Sequence, residues 1–160
     1  MHTAFVALGS NLGDPEHLVR RGIAALSELP QTRLAAASSR YRSAPIGHAD
    51  QPDFVNAVAR LSTGLAPQPL LAALLAIEKI FGRERSFVNA PRTLDLDLLL
   101  YDALSLSAPG LCLPHPRMHL RAFVLLPLIE IAPDCLIPGL GAAADWLARC
   151  REQSIHRLAP

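Results

Sequence analysis

The chain has 160 residues, of which 51% are hydrophobic and 18% are charged, and its formal net charge is +1. This length suits one folded domain spanning residues 1–160, and the composition excludes an intrinsically disordered chain. The small net charge gives no general attraction to nucleic acid or to an anionic membrane. In addition, no apolar run is long enough to cross a bilayer. We therefore expect a domain that binds neither nucleic acid nor a membrane.

The number and spacing of the cysteines indicate the cellular compartment of the protein. Cys112, Cys135 and Cys150 are odd in number and far apart, so they show neither disulfide nor zinc spacing. The chain also begins with a predicted strand rather than with a charged and then apolar signal peptide. We therefore expect a cytoplasmic protein.

The first half of the chain predicts three strands and one helix. Asp14 is typical of a helix N-cap and Pro15 of the first helical position, so a helix should begin there after a glycine-rich turn. The predicted strands of this half are residues 2–8, 34–42 and 54–62, and the predicted helix extends from residue 15 to about residue 29.

The second half continues with a helix at residues 67–81, a polar loop at 82–92 and an acidic strand at 93–101. Shorter elements follow, predicted as strands at 104–107 and 111–113 and as helices at 121–131 and 142–150. The order βαββαβ of the main elements predicts an α+β fold of ferredoxin-like type with additions.

Two carboxylates interrupt the apolar strand at residues 93–101. Alternation places Asp95 and Asp97 on one face with Leu99, roughly 6–7 Å apart. At an effective dielectric of about 20 they repel by roughly 2–2.5 kcal/mol. Magnesium would offset that repulsion, since it accepts one or two carboxylates plus phosphate oxygens; alternatively, both acids simply face water. The residues predicted on the opposite face are Leu94, Leu96, Leu98 and Leu100.

Two other elements carry unusual positions. Glu78 lies within the apolar face of the second helix, where a carboxylate needs a partner. That partner could be a nearby arginine. Phe54 and Asn56 share one face of the third strand, where they could stack on and hydrogen-bond a flat heterocycle. Ordinary packing of Phe54 is the alternative.

Basic residues cluster on both sides of the acidic strand. Paired acids together with arginine forks are typical of a magnesium–polyphosphate site. The sequence has no Walker-type phosphate loop, and Gly9 to Gly13 does not match a dinucleotide fingerprint, so side chains should hold any nucleotide. The clustered residues are Arg83, Arg85, Arg92, His115, Arg117, His119 and Arg121.

Four motifs carry a family resemblance: "ALGSNLG", "DQPDFVN", "PRTLDLD" and "LPHPRMHLRAFVLLPL". Together they resemble the 6-hydroxymethyl-7,8-dihydropterin pyrophosphokinases of folate biosynthesis. The resemblance implies a ferredoxin-like three-layer αβα sandwich with a mainly antiparallel central sheet. It also implies a magnesium-dependent diphosphokinase that transfers pyrophosphate from ATP to the hydroxymethyl group of the dihydropterin and releases AMP. We expect a monomer whose partners are ATP and this pterin.

The resemblance also implies roles for individual residues. Asp95 and Asp97 match acids that hold two magnesium ions, and Arg83 and Arg92 match arginines that act on the phosphates during catalysis. The residues implied to bind ATP are Glu78, Arg85, His115 and Arg121. The residues implied to bind the pterin are the rings of Phe54 and Phe123, the amide of Asn56, and the lining positions Ser43, Ala44 and Ile46.

The chain departs from the family pattern at several positions. Asn89-Ala90 stands where several relatives have Trp-Gly, so an aromatic lid is in doubt. Gly110 and Cys112 replace an arginine and a threonine, and Pro116 replaces a tyrosine. From the residues alone, a nucleotide or sugar-nucleotide transferase and a non-catalytic ferredoxin-like module both remain open.

Overall fold

A computed structural model describes residues 1–45, 50–82 and 94–160. The strands are β1 (His2–Ser10), β2 (Thr32–Ala37), β3 (Tyr41–Ser43), β4 (Phe54–Thr63), β5 (Asp95–Tyr101), β6 (Leu106–Ala108), β7 (Leu111–Leu113), β8 (Leu136–Ile137), β9 (Gly141–Ala142) and β10 (Ile155–Arg157). The helices are α1 (Pro15–Ser27), α2 (Pro67–Gly82), α3 (Ala122–Ile131) and α4 (Ala143–Leu147), and a 3-10 turn spans Met118–Leu120. Within the described ranges, no helix is both long and apolar enough to span a membrane.

The main sheet has the strand order β10-β3-β4-β1-β5, and β2 also pairs with β4. Every pair in this sheet is antiparallel. When β2 and β3 are taken as one interrupted strand, the order β5-β1-β4-β2/β3 is that of a ferredoxin-like βαββαβ unit. The predicted fold class is confirmed.

Helices cover both faces of the sheet, which produces three layers. On β1, Val6 and Leu8 pack into the cluster that includes α1 and α2, whereas Phe5 packs into the cluster that includes α3 and α4. This alternation follows from the two-residue period of a strand, since both of its faces are buried. The layer formed by α3 and α4 covers the face of the sheet that carries Asp97 and Asn56.

The predicted start of α1 is confirmed. The Asp14 carboxylate accepts a hydrogen bond of 3.3 Å from the backbone N–H of His17, and Pro15 is the first helical residue. Gly22 then allows α1 to lie close to the sheet. A Cβ at this position would be 2.9 Å from side-chain carbons of both Leu8 and Leu94.

The strand predicted at residues 34–42 is wrong, because the chain forms two strands there. Ser38 still pairs with Val58, but its hydroxyl oxygen accepts the Val58 N–H at 2.9 Å in place of a backbone carbonyl. The next backbone N–H, that of Ser39, donates to the carboxylate of Glu130 on α3 at 3.0 Å. The ladder therefore stops at Ser38 and resumes at Tyr41.

The predicted face of Leu100 is also wrong. Phe5 pairs with Leu100 and Val6 pairs with Leu98, so Leu99 is an extra residue that forms a β-bulge. As a result, Leu99 and Leu100 both pack toward α3 and α4. The bulge comes after the two acids, so it leaves the predicted face of Asp95 and Asp97 unchanged.

Candidate active site

A cavity of about 580 Å³ lies between the sheet and the start of α3. The strands β1, β3, β4 and β5 supply one wall, and the 3-10 turn with α3 supplies the other. The described residues that line it are Ala7, Leu8, Gly9, Ser43, Ala44, Phe54, Asn56, Asp95, Asp97, Arg117, Leu120, Arg121, Phe123, Val124 and Gln153.

The two acids lie at the β5 side of this cavity. In the sheet, Asp97 is opposite Ala7 and Asp95 is opposite Gly9. Because both opposing residues are small, the cavity remains open beside the carboxylates. Asp95 is exposed and Asp97 is half-buried. The alternation predicted for these residues therefore places both carboxylates at one cavity.

The carboxylate pair fits magnesium better than it fits zinc. Among residues 1–45, 50–82 and 94–160, no group of three or more His, Cys, Asp or Glu could by itself hold a metal ion. Magnesium often takes only one or two carboxylates and completes its shell with water and substrate phosphates. Asp95 and Asp97 are sufficient for a site of that type.

A buried amide lies beside the acids. Asn56 is 3% exposed, and its Nδ2 donates a hydrogen bond of 2.7 Å to the hydroxyl of Ser43. Gly9 makes room for this amide, since a Cβ on Gly9 would be 3.3 Å from Asn56 Oδ1. The arrangement leaves polar atoms of Asn56 available for a ligand, because an amide has more than one donor and acceptor.

Two phenyl rings line the same cavity from opposite walls. Phe54 is the first residue of β4, and Phe123 is the second residue of α3. The guanidinium carbon of Arg121 lies 5.6 Å from the centroid of the Phe123 ring, a cation–π distance. The structure therefore brings the predicted aromatic residues and the predicted amide to one site.

His115 lies next to this site but does not line the cavity. Its backbone N–H donates to the carbonyl of Leu99 at 2.9 Å, and its ring Nδ1 accepts from the backbone N–H of Arg117 at 3.1 Å. Burial lowers the pKa of His115, and the Arg121 and Arg117 guanidinium groups lower it further against the opposing effect of Asp97. Because Nδ1 accepts the hydrogen bond from the Arg117 N–H, the ring N–H is on Nε2.

Glu78 lies outside the cavity lining, on the buried side of α2. Its carboxylate accepts a hydrogen bond of 2.7 Å from the backbone N–H of Leu96. Among the described residues β5 is the last strand on this side of the sheet, so the Leu96 N–H points away from the described strands. The predicted need for a partner is confirmed, and Glu78 thereby fixes the residue between the two acids.

Several predicted positions lie outside the described residues. These are Arg83, Arg85, Arg92 and Ile46, together with the departures at Asn89 and Ala90.

Gly110 forms the turn between β6 and β7 with a φ of +77°, which accounts for a glycine there.

Two polar side chains in the lining, Arg117 and Gln153, were not assigned from the sequence. Arg117 belonged to a noted polar cluster, but nothing in its spacing distinguished it from surface arginines. Gln153 had no local signal, because its place in the wall depends on the pairing of β10 with β3.

Comparison with known proteins identifies relatives along nearly the whole chain. Residues 5–133 match the family described as 7,8-dihydro-6-hydroxymethylpterin-pyrophosphokinase. A Pseudomonas aeruginosa protein is 49% identical over 154 residues, covering 96% of this chain and 95% of that protein. A Haemophilus influenzae protein is 42% identical over 160 residues, covering all of both chains. Both are named 2-amino-4-hydroxy-6-hydroxymethyldihydropteridine pyrophosphokinase.

A similar fold occurs in a crystal structure of an HPPK-DHPS protein in complex with substrates. The TM-score is 0.73 at 13% sequence identity, and the match covers 95% of this chain. This chain spans 46% of that longer protein. At this identity the likeness establishes the fold alone.

Proposed function

The chain belongs to the 7,8-dihydro-6-hydroxymethylpterin-pyrophosphokinase family, and we propose that it transfers pyrophosphate from ATP to 6-hydroxymethyl-7,8-dihydropterin, releasing AMP. This reaction serves tetrahydrofolate biosynthesis. The observation that carries the proposal is the meeting of a carboxylate pair, two phenyl rings and a buried amide around one cavity of about 580 Å³. A flat heterocycle needs the aromatic rings and the amide, and a magnesium-bound polyphosphate needs the carboxylates beside them.

The pterin would occupy the end of the cavity formed by β3, β4 and the start of α3. Phe54 and Phe123 line this part and would stack on the two faces of the heterocycle. Asn56, held by Ser43, would hydrogen-bond its edge. Ala44 also lines the cavity. We propose Ala44 and Ile46 as the remaining pterin-binding positions.

The triphosphate would lie toward β5. Asp95 and Asp97 would hold two magnesium ions together with ATP, and bound magnesium would neutralise phosphate charge. Arg121 lines the same cavity and would bind phosphate oxygens through its guanidinium group. Further ATP contacts are proposed for Glu78, Arg85 and His115, and catalytic phosphate contacts for Arg83 and Arg92.

The chain's own residues would act mainly by positioning. The pterin alcohol is a weak nucleophile and AMP is a good leaving group, so alignment and stabilisation of developing charge should dominate the rate acceleration. Glu78 supports this alignment indirectly, since it holds the Leu96 backbone between the two acids. His115 would donate from Nε2, since its Nδ1 accepts the Arg117 backbone N–H.

The proposal is tested by measuring ATP consumption with magnesium, in the presence and absence of 6-hydroxymethyl-7,8-dihydropterin. We expect consumption to require the pterin and to stop when a chelator removes magnesium. A sugar-nucleotide transferase would be indifferent to the pterin, and a non-catalytic module would consume no ATP in either mixture. We also propose that the protein is cytoplasmic and monomeric. Sedimentation of the purified chain measures its oligomeric state.

A further inference from the structure

Gln153 connects the C-terminal segment to the cavity wall opposite the sheet. Its side-chain Oε1 accepts a hydrogen bond of 2.8 Å from the backbone N–H of Ala122. Its Nε2 donates a hydrogen bond of 2.7 Å to the backbone carbonyl of Leu120. One half-buried side chain thus bonds to the backbone on both sides of Arg121. Phe123 is the next residue after Ala122.

The start of α3 needs this external partner. The residue at its N-cap position, Arg121, makes no side-chain capping hydrogen bond. The first backbone N–H groups of a helix have no acceptor within the helix, and capping is typically worth about 1 kcal/mol. Gln153 supplies the acceptor for Ala122 from a different part of the chain.

Phe123 is only half-buried, although its neighbours Ala122 and Val124 are buried in the core. A second cavity of about 240 Å³ lies next to the first and is also lined by Ala122, Phe123 and Gln153. Phe123 therefore borders both cavities. The two hydrogen bonds of Gln153 fix the backbone on either side of Arg121, next to the half-buried Phe123.

The same segment is attached to the other wall. Two residues after Gln153, β10 begins, and its Ile155 pairs with Ser43 of β3. Residues 153–157 therefore link the strand that carries Ser43 with the helix that carries Phe123. This segment lies beyond residues 5–133, the part of the chain that matches the family.

We propose that Gln153 is a positioning residue that holds Phe123 at the spacing from Phe54 that the pterin requires. The proposal rests on the proposed function, because it takes the pterin as the ligand of this cavity. Gln153 acts through the Leu120–Ala122 backbone.

The test compares two substitutions at this position with a nearby control. Gln153→Met keeps the length of the side chain and removes both hydrogen bonds. Gln153→Glu keeps an acceptor for Ala122 N–H and loses the donor to Leu120. The control is Arg151→Ala, at an exposed residue of the same segment that does not line either cavity.

Pterin affinity is measured by calorimetry with magnesium and a non-hydrolysable ATP analogue, and KM and kcat are measured on the same proteins. We expect Gln153→Met to weaken pterin binding about tenfold, the scale expected for two lost hydrogen bonds, and Gln153→Glu to weaken it about threefold. KM for the pterin should rise correspondingly while kcat changes less than about twofold, because the lost contact serves ground-state and transition-state binding alike. The control should match the parent.

The outcomes separate this inference from the proposed function. A folded Gln153→Met variant with a lower melting temperature but parental pterin affinity would show a purely structural tie and overturn the inference. If that variant does not fold, Gln153→Glu decides in the same way, since parental affinity overturns the inference and a threefold loss supports it. A parent chain that binds no pterin would refute the proposed function and this inference together.

Discussion

The amide of Asn56 donates a 2.7 Å hydrogen bond to the hydroxyl of Ser43, and both residues are buried in the wall of the cavity. These two side chains come from neighbouring strands, β4 and β3, so the sheet itself sets the orientation of the amide. An amide held in this way can recognise one edge of a ligand without losing rotamer freedom on binding.

Replacing either member of this pair should weaken pterin binding to different extents. Asn56→Ala removes the contact itself, so we expect a loss of about tenfold or more. Ser43→Ala only releases the amide, and its loss should be about threefold. The double variant should be no weaker than Asn56→Ala, because the two side chains act as one unit. Calorimetric titration with the pterin measures this, with Ser107→Ala, at the exposed residue of β6, as the control.

Removing either aromatic wall should affect one substrate only. Phe54→Ala and Phe123→Ala each take away the contact on one face of the stacked heterocycle. We expect each to weaken pterin binding while affinity for an ATP analogue stays within about twofold of the parent. Unchanged pterin affinity in both variants would contradict the stacking arrangement.

The carboxylate pair should cost stability in the absence of ligand. Asp97→Asn keeps the shape and removes one of the two like charges. Without metal, the variant should therefore melt at the parental temperature or slightly higher, yet lose most magnesium-dependent activity. Asp134→Asn, at an exposed acid outside the cavity, serves as the control. Full activity of Asp97→Asn would refute the magnesium site.

Tyr41 should lose its proton only in strong alkali. Its hydroxyl donates a 2.5 Å hydrogen bond to Glu130, and burial together with this carboxylate raises the pKa of Tyr41 to about 12. The folded chain holds this proton more tightly than the unfolded chain. The resulting stability is complete below pH 10 and is lost as the pH rises through about 12.

The chain has two tyrosines, so Tyr101→Phe leaves Tyr41 as the only one. Ultraviolet absorbance of the phenolate in this variant then reports Tyr41 alone, while circular dichroism follows the fold at each pH. A midpoint near the ordinary tyrosine pKa in a chain that is still folded would contradict the Glu130 contact.

The sequence was sufficient for the parts of the fold that follow from local chemistry. The Asp14-Pro15 start of α1 was predictable because capping depends on adjacent residues. The common face of Asp95 and Asp97 was predictable because strand periodicity holds until the bulge at Leu99. The location of Phe54 and Asn56 at one cavity required only the same alternation.

Features set by distant contacts were not predictable. The break between β2 and β3 depends on Glu130 of α3, which is far along the chain and accepts the Ser39 N–H. The face of Leu100 depends on how β5 pairs with β1, which hydrophobic pattern alone does not specify. Gln153 became part of the site only because β10 pairs with β3 and brings the end of the chain to α3.

The central claim is the transfer of pyrophosphate as one unit, and product analysis tests it most directly. The purified chain is incubated with ATP, magnesium and 6-hydroxymethyl-7,8-dihydropterin, and all products are identified by mass spectrometry. We predict AMP and a diphosphorylated pterin in equal amounts. ADP with a monophosphorylated pterin would contradict the account, as would ATP breakdown with the pterin left unchanged.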